Sequence, residues 1–150
     1  MTVKADLSHI NSLSRIAKEQ FMNLDATAVR NLELIKNMRD GSKRGTLLDV
    51  LDFTSTSMGA RKLRNWIECP LLDLSQIRSR QEAVGELLTN VQMRGNLQDK
   101  LKAIFDLERI VSRIEVGSAN ARDLVSLRSS LAVLPEIKSL LRYCLSLIHI

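Results

Sequence analysis

The stretch that decides the fold is FMNLDATAVRNLEL, residues 21–34. Its first part, FMNL, suits a short extended segment, and Asp25 can then cap a helical turn by accepting hydrogen bonds from the N–H groups that follow. Leu32 and Leu34 lead out toward a basic turn, RDGSKRG at residues 39–45. A change from strand to helix to turn over so short a distance is typical of a connector between larger bodies, and nothing in it suggests catalysis.

The composition predicts a single helical domain with an aliphatic core. A chain of 150 residues can bury one core, and 45% hydrophobic with 26% charged residues is ordinary for a soluble globular protein. Aromatic residues make up only 3%, so aliphatic side chains must fill the interior. Cys69 and Cys144 form no CxxC motif, which argues against a disulfide framework and for a reducing, cytoplasmic location. The chain shows no signal-peptide core and no apolar run long enough to span a bilayer.

Residues 1–24 are predicted to form a small β-hairpin at the edge of the helical core. Ile10, Leu13 and Ile16 precede a polar tip, and Phe21 begins the return strand. Two strands alone are at best marginally stable in water, so the hairpin requires a helical surface to pack against.

Residues 25–142 are predicted to form the helical core, and polar capping residues indicate where its helices begin. Two pairs have capping-box spacing, Thr46 with Asp49 and Asp73 with Gln76, and Asn120 and Asp123 open the last helix. Helix ends are expected at residues 52–57, at Pro70, near Asn90 and at Gly117. Pro135 either kinks the last helix or starts a new segment.

Apolar residues at helical spacing predict which side of each helix is buried. They are Leu47, Leu48 and Leu51; Ala60, Leu63 and Ile67; Ile77, Val84, Leu87 and Leu88; Leu97, Leu101 and Ile104; Leu107, Ile110, Val111 and Ile114; and Leu124, Leu127, Leu131 and Leu134, continued by Ile137, Leu140 and Leu141. A solvated face is expected at Arg78, Arg80, Gln81 and Glu82. Residues 143–150 are unusually apolar for a terminus, and we expect a frayed or non-native tail of a truncated chain there.

The chain lacks the motif of a nucleotide site. A P-loop is written G-x-x-x-x-G-K-[ST], because backbone N–H groups wrap the phosphates and a lysine reaches them. The nearest stretch, GSKRGT at residues 41–46, is one residue short and has no lysine after Gly45, so it is interpreted as a flexible basic turn. His9 and His149 lie at opposite ends, with no cysteine or carboxylate cluster at metal-ligand spacing. We therefore predict no catalytic, cofactor-binding or metal-ligating residue.

Asp106 and Glu108 come nearest to a carboxylate pair, but their spacing argues against joint action. Residues two positions apart on a helix point in different directions, so we expect no shared target. Each is instead expected to form a local surface ion pair with Arg109, worth about 0.3–0.5 kcal/mol.

A basic cluster lies between residues 36 and 64 and carries most of the net charge of +5. It contains Lys36, Arg39, Lys43, Arg44, Arg61, Lys62 and Arg64 against Asp40, Asp49 and Asp52. One interpretation is contact with nucleic-acid phosphates, with Lys43 and Arg44 as the candidate residues. The other is a solvated face that keeps the domain soluble. The second is favoured, because aromatic residues are not interleaved with the basic ones to stack on bases.

Short motifs follow one another in a specific order along most of the chain. They are LSHIN at 7–11, MNLD at 22–25, RNLEL at 30–34, DGSK at 40–43, TLL at 46–48, LD at 51–52, MGAR at 58–61, LR at 63–64, Trp66, PLLD at 70–73, DLERI at 106–110, RI at 113–114, AN at 119–120 and RDL at 122–124. Together they resemble the DNA mismatch-recognition ATPases of the MutS type. The resemblance is to the core, or lever, of that family, before its DNA clamp insertion.

This resemblance implies a role without chemistry of its own. A MutS-type protein is a homodimer that clasps a mismatched DNA duplex, cooperates with a MutL-type partner, and uses ATP with magnesium in a distant domain. The mismatch-reading Phe-x-Glu motif and the Walker motifs belong to other domains and are absent from this sequence. The implied segment is a mainly α, multi-helix core or lever that couples the ATPase domain to the DNA clamp, with the small N-terminal β-hairpin at its edge.

Two alternatives remain open at this point. A free-standing helix-turn-helix protein would use residues 61–66 in its recognition helix and would bind a defined DNA sequence. A helical adaptor would bind another protein through exposed apolar surface, although the same surface could be where the rest of a longer chain packs.

Overall fold

The computed structural model describes residues 20–142, which form seven α-helices. The connections from α2 onward are short, whereas residues 32–46 join α1 to α2. The helices are α1 (Ala26–Asn31), α2 (Leu47–Leu51), α3 (Ser57–Glu68), α4 (Leu74–Thr89), α5 (Val91–Lys102), α6 (Leu107–Glu115) and α7 (Ala121–Leu141). The prediction of a mainly α scaffold is confirmed for this part of the chain. The predicted tail at residues 143–150 lies outside the described residues.

The predicted N-terminal β-hairpin is not supported. Its residues 1–19 lie outside the described part of the chain. In the part that is described, Phe21 forms an isolated antiparallel bridge with Leu71. Backbone hydrogen bonds of 2.8 and 3.1 Å on either side of this bridge join residues 20–22 to residues 70–72. The extended segment therefore pairs with the connection between α3 and α4.

Polar side chains cap all seven described helices, and the caps at Asp25, Thr46, Asp73 and Asn120 were predicted. Those that accept a first-turn N–H are Asp25, Thr46, Thr56, Asp73, Asn90, Asp106 and Asn120. The reciprocal capping box is complete at Asn120, where the Asp123 carboxylate accepts the Asn120 N–H at 3.0 Å. At α2 the Asp49 carboxylate reaches one residue further back and accepts the Gly45 N–H at 3.0 Å.

Gly117 separates α6 from α7 as predicted. Its φ of +71° lies in the left-handed region that glycine adopts without strain, and this ends α6. Pro135 starts no new segment, because α7 continues through it to Leu141. A 21-residue helix tolerates the one backbone hydrogen bond that a proline removes.

The core lies where α5 packs against α4 and α7, and where α6 packs against α7. Its buried apolar residues are Ala83, Met93, Ile110 and Ile137, while Leu34 and Leu48 are buried separately, around α2, which packs against α3. On α4 the predicted buried residues Val84 and Leu88 are wrong, since they are 56% and 62% exposed. Ala83 is buried instead. Its small side chain contributes little to a hydrophobic periodicity, so the pattern of large residues does not mark the true contact side.

The buried side of α7 agrees with the prediction at Ile137 but not at Leu124 and Leu131. Asp123, Ser130 and Ile137 are buried, and their spacing of seven residues places them on one side of the helix. The predicted residues Leu124 and Leu131 are 54% and 48% exposed. α7 has apolar residues on more than one side, and within residues 20–142 the packing against α5 and α6 leaves the Leu124 side uncovered.

Candidate functional site

Arg61 of α3 binds two carboxylates at the start of α6. Its Nη1 and Nη2 atoms donate to the two carboxylate oxygens of Asp106 at 2.8 and 2.7 Å. Its Nε and Nη2 atoms donate to one oxygen of Glu108 at 3.0 and 2.6 Å. The guanidinium therefore holds Asp106 in a bidentate pair and joins α3 to α6 across 45 residues of sequence.

The expectation that Asp106 and Glu108 share no target is wrong. The helical spacing rule does not apply to them, because Asp106 is the N-cap of α6 with φ −71° and ψ 85° and therefore lies outside the helix. Its side chain is free to turn toward the side on which Glu108 lies. The predicted local pair of Asp106 with Arg109 is present at 3.4 Å, but Glu108 binds Arg61.

The charges of this cluster stabilise one another. Hydrogen bonds from Arg61 lower the pKa of Asp106 to about 2, and the Arg109 backbone N–H adds to the effect. Hydrogen bonds to Asp106 and then Glu108 raise the pKa of Arg61 above its usual value. The pair is therefore fully ionised throughout the physiological pH range.

Ser130 of α7 forms a hydrogen bond with Phe105, the residue that precedes Asp106. Its side chain is 0% exposed. The hydroxyl accepts the Phe105 N–H at 3.0 Å and donates to the Ser126 carbonyl at 2.9 Å. Arg61, Phe105, Asp106, Glu108 and Ser130 thus bring α3, α6 and α7 together, and we call this set the α3–α6–α7 junction.

A second ion pair joins α6 to α7. The Nη1 atom of Arg113 donates to the Asp123 carboxylate at 2.8 Å. Asp123 is buried and also completes the capping box of α7. The same carboxylate therefore starts one helix and ties it to the end of another, which fixes their relative position.

The basic turn at residues 41–46 is an ordered turn rather than a phosphate cradle. Most of its backbone N–H groups are used internally: the Gly41 N–H donates to the Asn37 side chain, and those of Ser42 and Gly45 donate to the side chains of Asp40 and Asp49. A P-loop needs these groups to be free for phosphate oxygens. The turn therefore does not fit a bound nucleotide.

The two residues predicted to contact nucleic acid differ in their surroundings. Lys43 forms an ion pair with Asp52, and the hydrogen bond from Lys43 lowers the pKa of Asp52 to about 2. Arg44 is exposed, and its side chain makes no hydrogen bond or ion pair with the described residues. Contact of either residue with DNA stays a prediction.

The segment at residues 61–66 is poorly suited to be a DNA recognition helix. Arg61 is held by the junction, and Arg64 donates to Glu68 at 3.3 Å within α3. The Arg80 guanidinium stacks over the Trp66 ring, with its Cζ atom 3.8 Å from the ring centroid. Arg80 is therefore not part of the predicted solvated face. Both arginines of the segment, the side chains best suited to read bases, are thus engaged inside the chain.

Several large apolar side chains remain exposed on α6 and α7. The exposed residues are Val111, Ile114, Leu124, Val125, Leu131 and Leu134. At the end of α7 a groove of about 710 Å³ is lined by Leu131, Leu134 and Leu141 among others. We call this feature the α7 groove.

Within the described residues, no group of three or more histidine, cysteine, aspartate or glutamate side chains could hold a metal ion. No helix in residues 20–142 is long and apolar enough to cross a membrane.

These features define a helical scaffold whose elements are joined by caps and ion pairs. Comparison with known proteins identifies the family. The model of MutS domain III matches residues 27–147, and the chain belongs to this family.

The relatives of the chain carry the name DNA mismatch repair protein MutS. The chain is 52% identical over 135 residues to that of Symbiobacterium thermophilum, an alignment that covers 90% of this chain and 15% of the relative. It is 51% identical over 140 residues to that of Pelotomaculum thermopropionicum, which covers 93% and 16%. It is 48% identical over 136 residues to that of Desulforamulus reducens, which covers 91% and 16%. The chain therefore spans less than a fifth of the length of these relatives.

Proposed function

We propose that this chain is the structural core, or lever, of a MutS-type mismatch repair protein. In this role it couples an ATPase domain to a DNA clamp and performs no chemistry itself. The observation that carries the proposal is the α3–α6–α7 junction, in which one arginine and one serine fix three helices relative to each other. Motion at one end of such a scaffold can reach the other only if the intervening elements move together.

The cofactors of the longer protein are proposed to bind outside this segment. ATP and magnesium are implied by the family resemblance, but in the turn at residues 41–46 the N–H groups of Gly41, Ser42 and Gly45 already donate to neighbouring side chains. A nucleotide placed there would find most of the backbone donors already engaged. We therefore assign nucleotide binding to another part of the longer protein.

The partners are likewise proposed for the longer protein. They are mismatched double-stranded DNA, a second copy of the same protein and a MutL-type protein, in the cytoplasm. The relatives that support this assignment are named as DNA mismatch repair proteins, and they are much longer than this chain.

Exposed apolar surface admits a second candidate function, that of a protein-interaction adaptor. The α7 groove favours it, because apolar surface of this kind marks an interaction site. The large difference in length between the chain and its relatives favours the simpler assignment, in which the groove receives other parts of the longer protein.

The lever role can be tested in a chimaera in which residues 20–142 replace the matching segment of the Symbiobacterium thermophilum relative. Leu107 is half-buried at the start of α6, so Leu107→Asp should loosen α6 from its neighbours. We expect ATP-triggered release of a mismatched duplex to slow by about fivefold or more, the usual size of a lost coupling. Stopped-flow fluorescence with labelled DNA measures the rate.

Ser112→Asp is the matched control, because Ser112 is exposed on the same helix. It should leave the release rate unchanged. A folded Leu107→Asp chimaera that binds ATP and releases DNA at the unmodified rate would rule out the lever role. Circular dichroism and the thermal midpoint establish that the variant is folded.

A further inference from the structure

We propose that Arg61 is a positioning residue that works as an ionic latch. By holding Asp106 it presses the connection between α5 and α6 onto α7, so that α3 and α7 move together while the latch is closed. The latch is a property of this chain and does not depend on whether a longer protein couples ATP to DNA.

The connection at residues 103–106 is short and is held by two different helices. The Phe105 N–H binds Ser130 of α7, and the Asp106 carboxylate binds Arg61 of α3. Adjacent Cα atoms are only about 3.8 Å apart, so one residue cannot shift far without moving the next. Displacement of α3 must therefore strain the hydrogen bond between the Phe105 N–H and Ser130 of α7.

The two attachments differ in how far solvent and salt can weaken them. The Ser130 hydroxyl is fully buried and is oriented by its bond to the Ser126 carbonyl. The Arg61 side chain is 40% exposed, so salt screens its attraction to the carboxylates. The Arg61 attachment is therefore the one that opens first.

Asp106 links the latch to the start of α6. The carboxylate that binds Arg61 also accepts the Arg109 N–H at 3.3 Å as the N-cap. Release of Arg61 frees this carboxylate to move and weakens the cap. The amides of Phe105 and Arg109 are thus two independent reporters of the closed latch.

Amide hydrogen exchange by NMR on the 150-residue chain tests the inference. In Arg61→Gln we expect the Phe105 and Arg109 amides to exchange roughly three- to tenfold faster. This is the size expected when a partly exposed, hydrogen-bonded ion pair is lost. Arg64→Gln is the matched control, since Arg64 lies on the same helix and pairs with Glu68 within it. It should leave both amides unchanged.

Two further measurements separate coupling from direct contact. Ser130→Ala should speed exchange at Phe105 because it removes the acceptor, whereas Ser129→Ala should not, since Ser129 is exposed and binds within α7. Raising the salt concentration should speed Phe105 exchange in the unmodified chain and in Arg64→Gln. It should have no such effect in Arg61→Gln, where the latch is already open.

An unchanged Phe105 amide in Arg61→Gln would overturn the inference, because α3 would then have no hold on the connection. Equal acceleration of the amides throughout α5 and α7 would also overturn it, since that result signifies lower global stability. Arg61→Lys keeps the charge without the planar fork and should give an intermediate rate.

Discussion

At the residue scale, the chemistry of Arg61 explains how two carboxylates close in sequence come to share one target. A guanidinium presents five N–H donors in a plane, so it can serve two acceptors at fixed angles. The Nη2 atom alone donates to Asp106 at 2.7 Å and to Glu108 at 2.6 Å. A lysine has a single ammonium group on a flexible stem and would not hold both carboxylates in one geometry.

The basic turn provides a prediction at the same scale. If it contacts DNA phosphates, Arg44→Gln should reduce the salt dependence of binding by about 0.9 in the slope of log K against log salt, one phosphate's contribution. Lys43→Gln should reduce it less, because the Lys43 ammonium already pairs with Asp52. Fluorescence anisotropy of the chain with a labelled duplex, titrated at several salt concentrations, measures both slopes.

Identical slopes for Arg44→Gln and the unmodified chain would show that Arg44 makes no contact with DNA phosphates. The basic cluster would then be explained as a solvated face. A strong preference for one DNA sequence over others would instead favour the helix-turn-helix alternative. The same titration with duplexes of different sequence tests that alternative.

At the scale of the elements, the glycines show how one substitution can have opposite effects. Gly95 lies inside α5 and Gly117 follows α6, and an added Cβ would meet nothing within 4 Å at either position. Only Gly117 has a positive φ, of +71°. The difference between the two sites is therefore one of backbone conformation and not of packing.

We expect Gly95→Ala to stabilise the chain by about 0.5–1 kcal/mol, because alanine loses less backbone entropy in a helix. Gly117→Ala should destabilise it by about 1 kcal/mol or more, since alanine is strained at positive φ. Urea unfolding followed by circular dichroism gives both free energies of unfolding. Stabilisation by Gly117→Ala would show that α6 does not end in the left-handed turn.

At the scale of the whole molecule, the exposed apolar groove on α7 sets how the chain behaves alone. Leu131 and Leu134 are exposed there although they are large and apolar. We assign this surface to packing against other parts of a longer protein. In isolation it should therefore cause the chain to self-associate.

Light scattering over a concentration series tests this assignment. Self-association should persist when the chain is cut after Arg142 and should fall when Leu131 and Leu134 are both replaced by serine. Ala132→Ser, at an exposed position of the same helix, is the control. Loss of association on removing residues 143–150 alone would instead assign the effect to the tail.

The sequence by itself determined the local features of this protein. The helix starts at Thr46, Asp73 and Asn120 and the stop at Gly117 could all be predicted, because each depends on hydrogen bonds or backbone angles within a few residues. The family resemblance was equally readable, since it rests on the order of short motifs, and the match over residues 27–147 confirms it.

Tertiary structure alone decided which sides of the helices are buried and which charges meet. Periodicity cannot choose Ala83 over Val84, because burial depends on which neighbouring helix lies alongside. Nor can spacing bring Arg61 to Asp106, a pair separated by 45 residues, since only the packed arrangement of the helices sets their distance. The α3–α6–α7 junction depends on contacts between residues far apart in sequence, so the sequence alone did not reveal it.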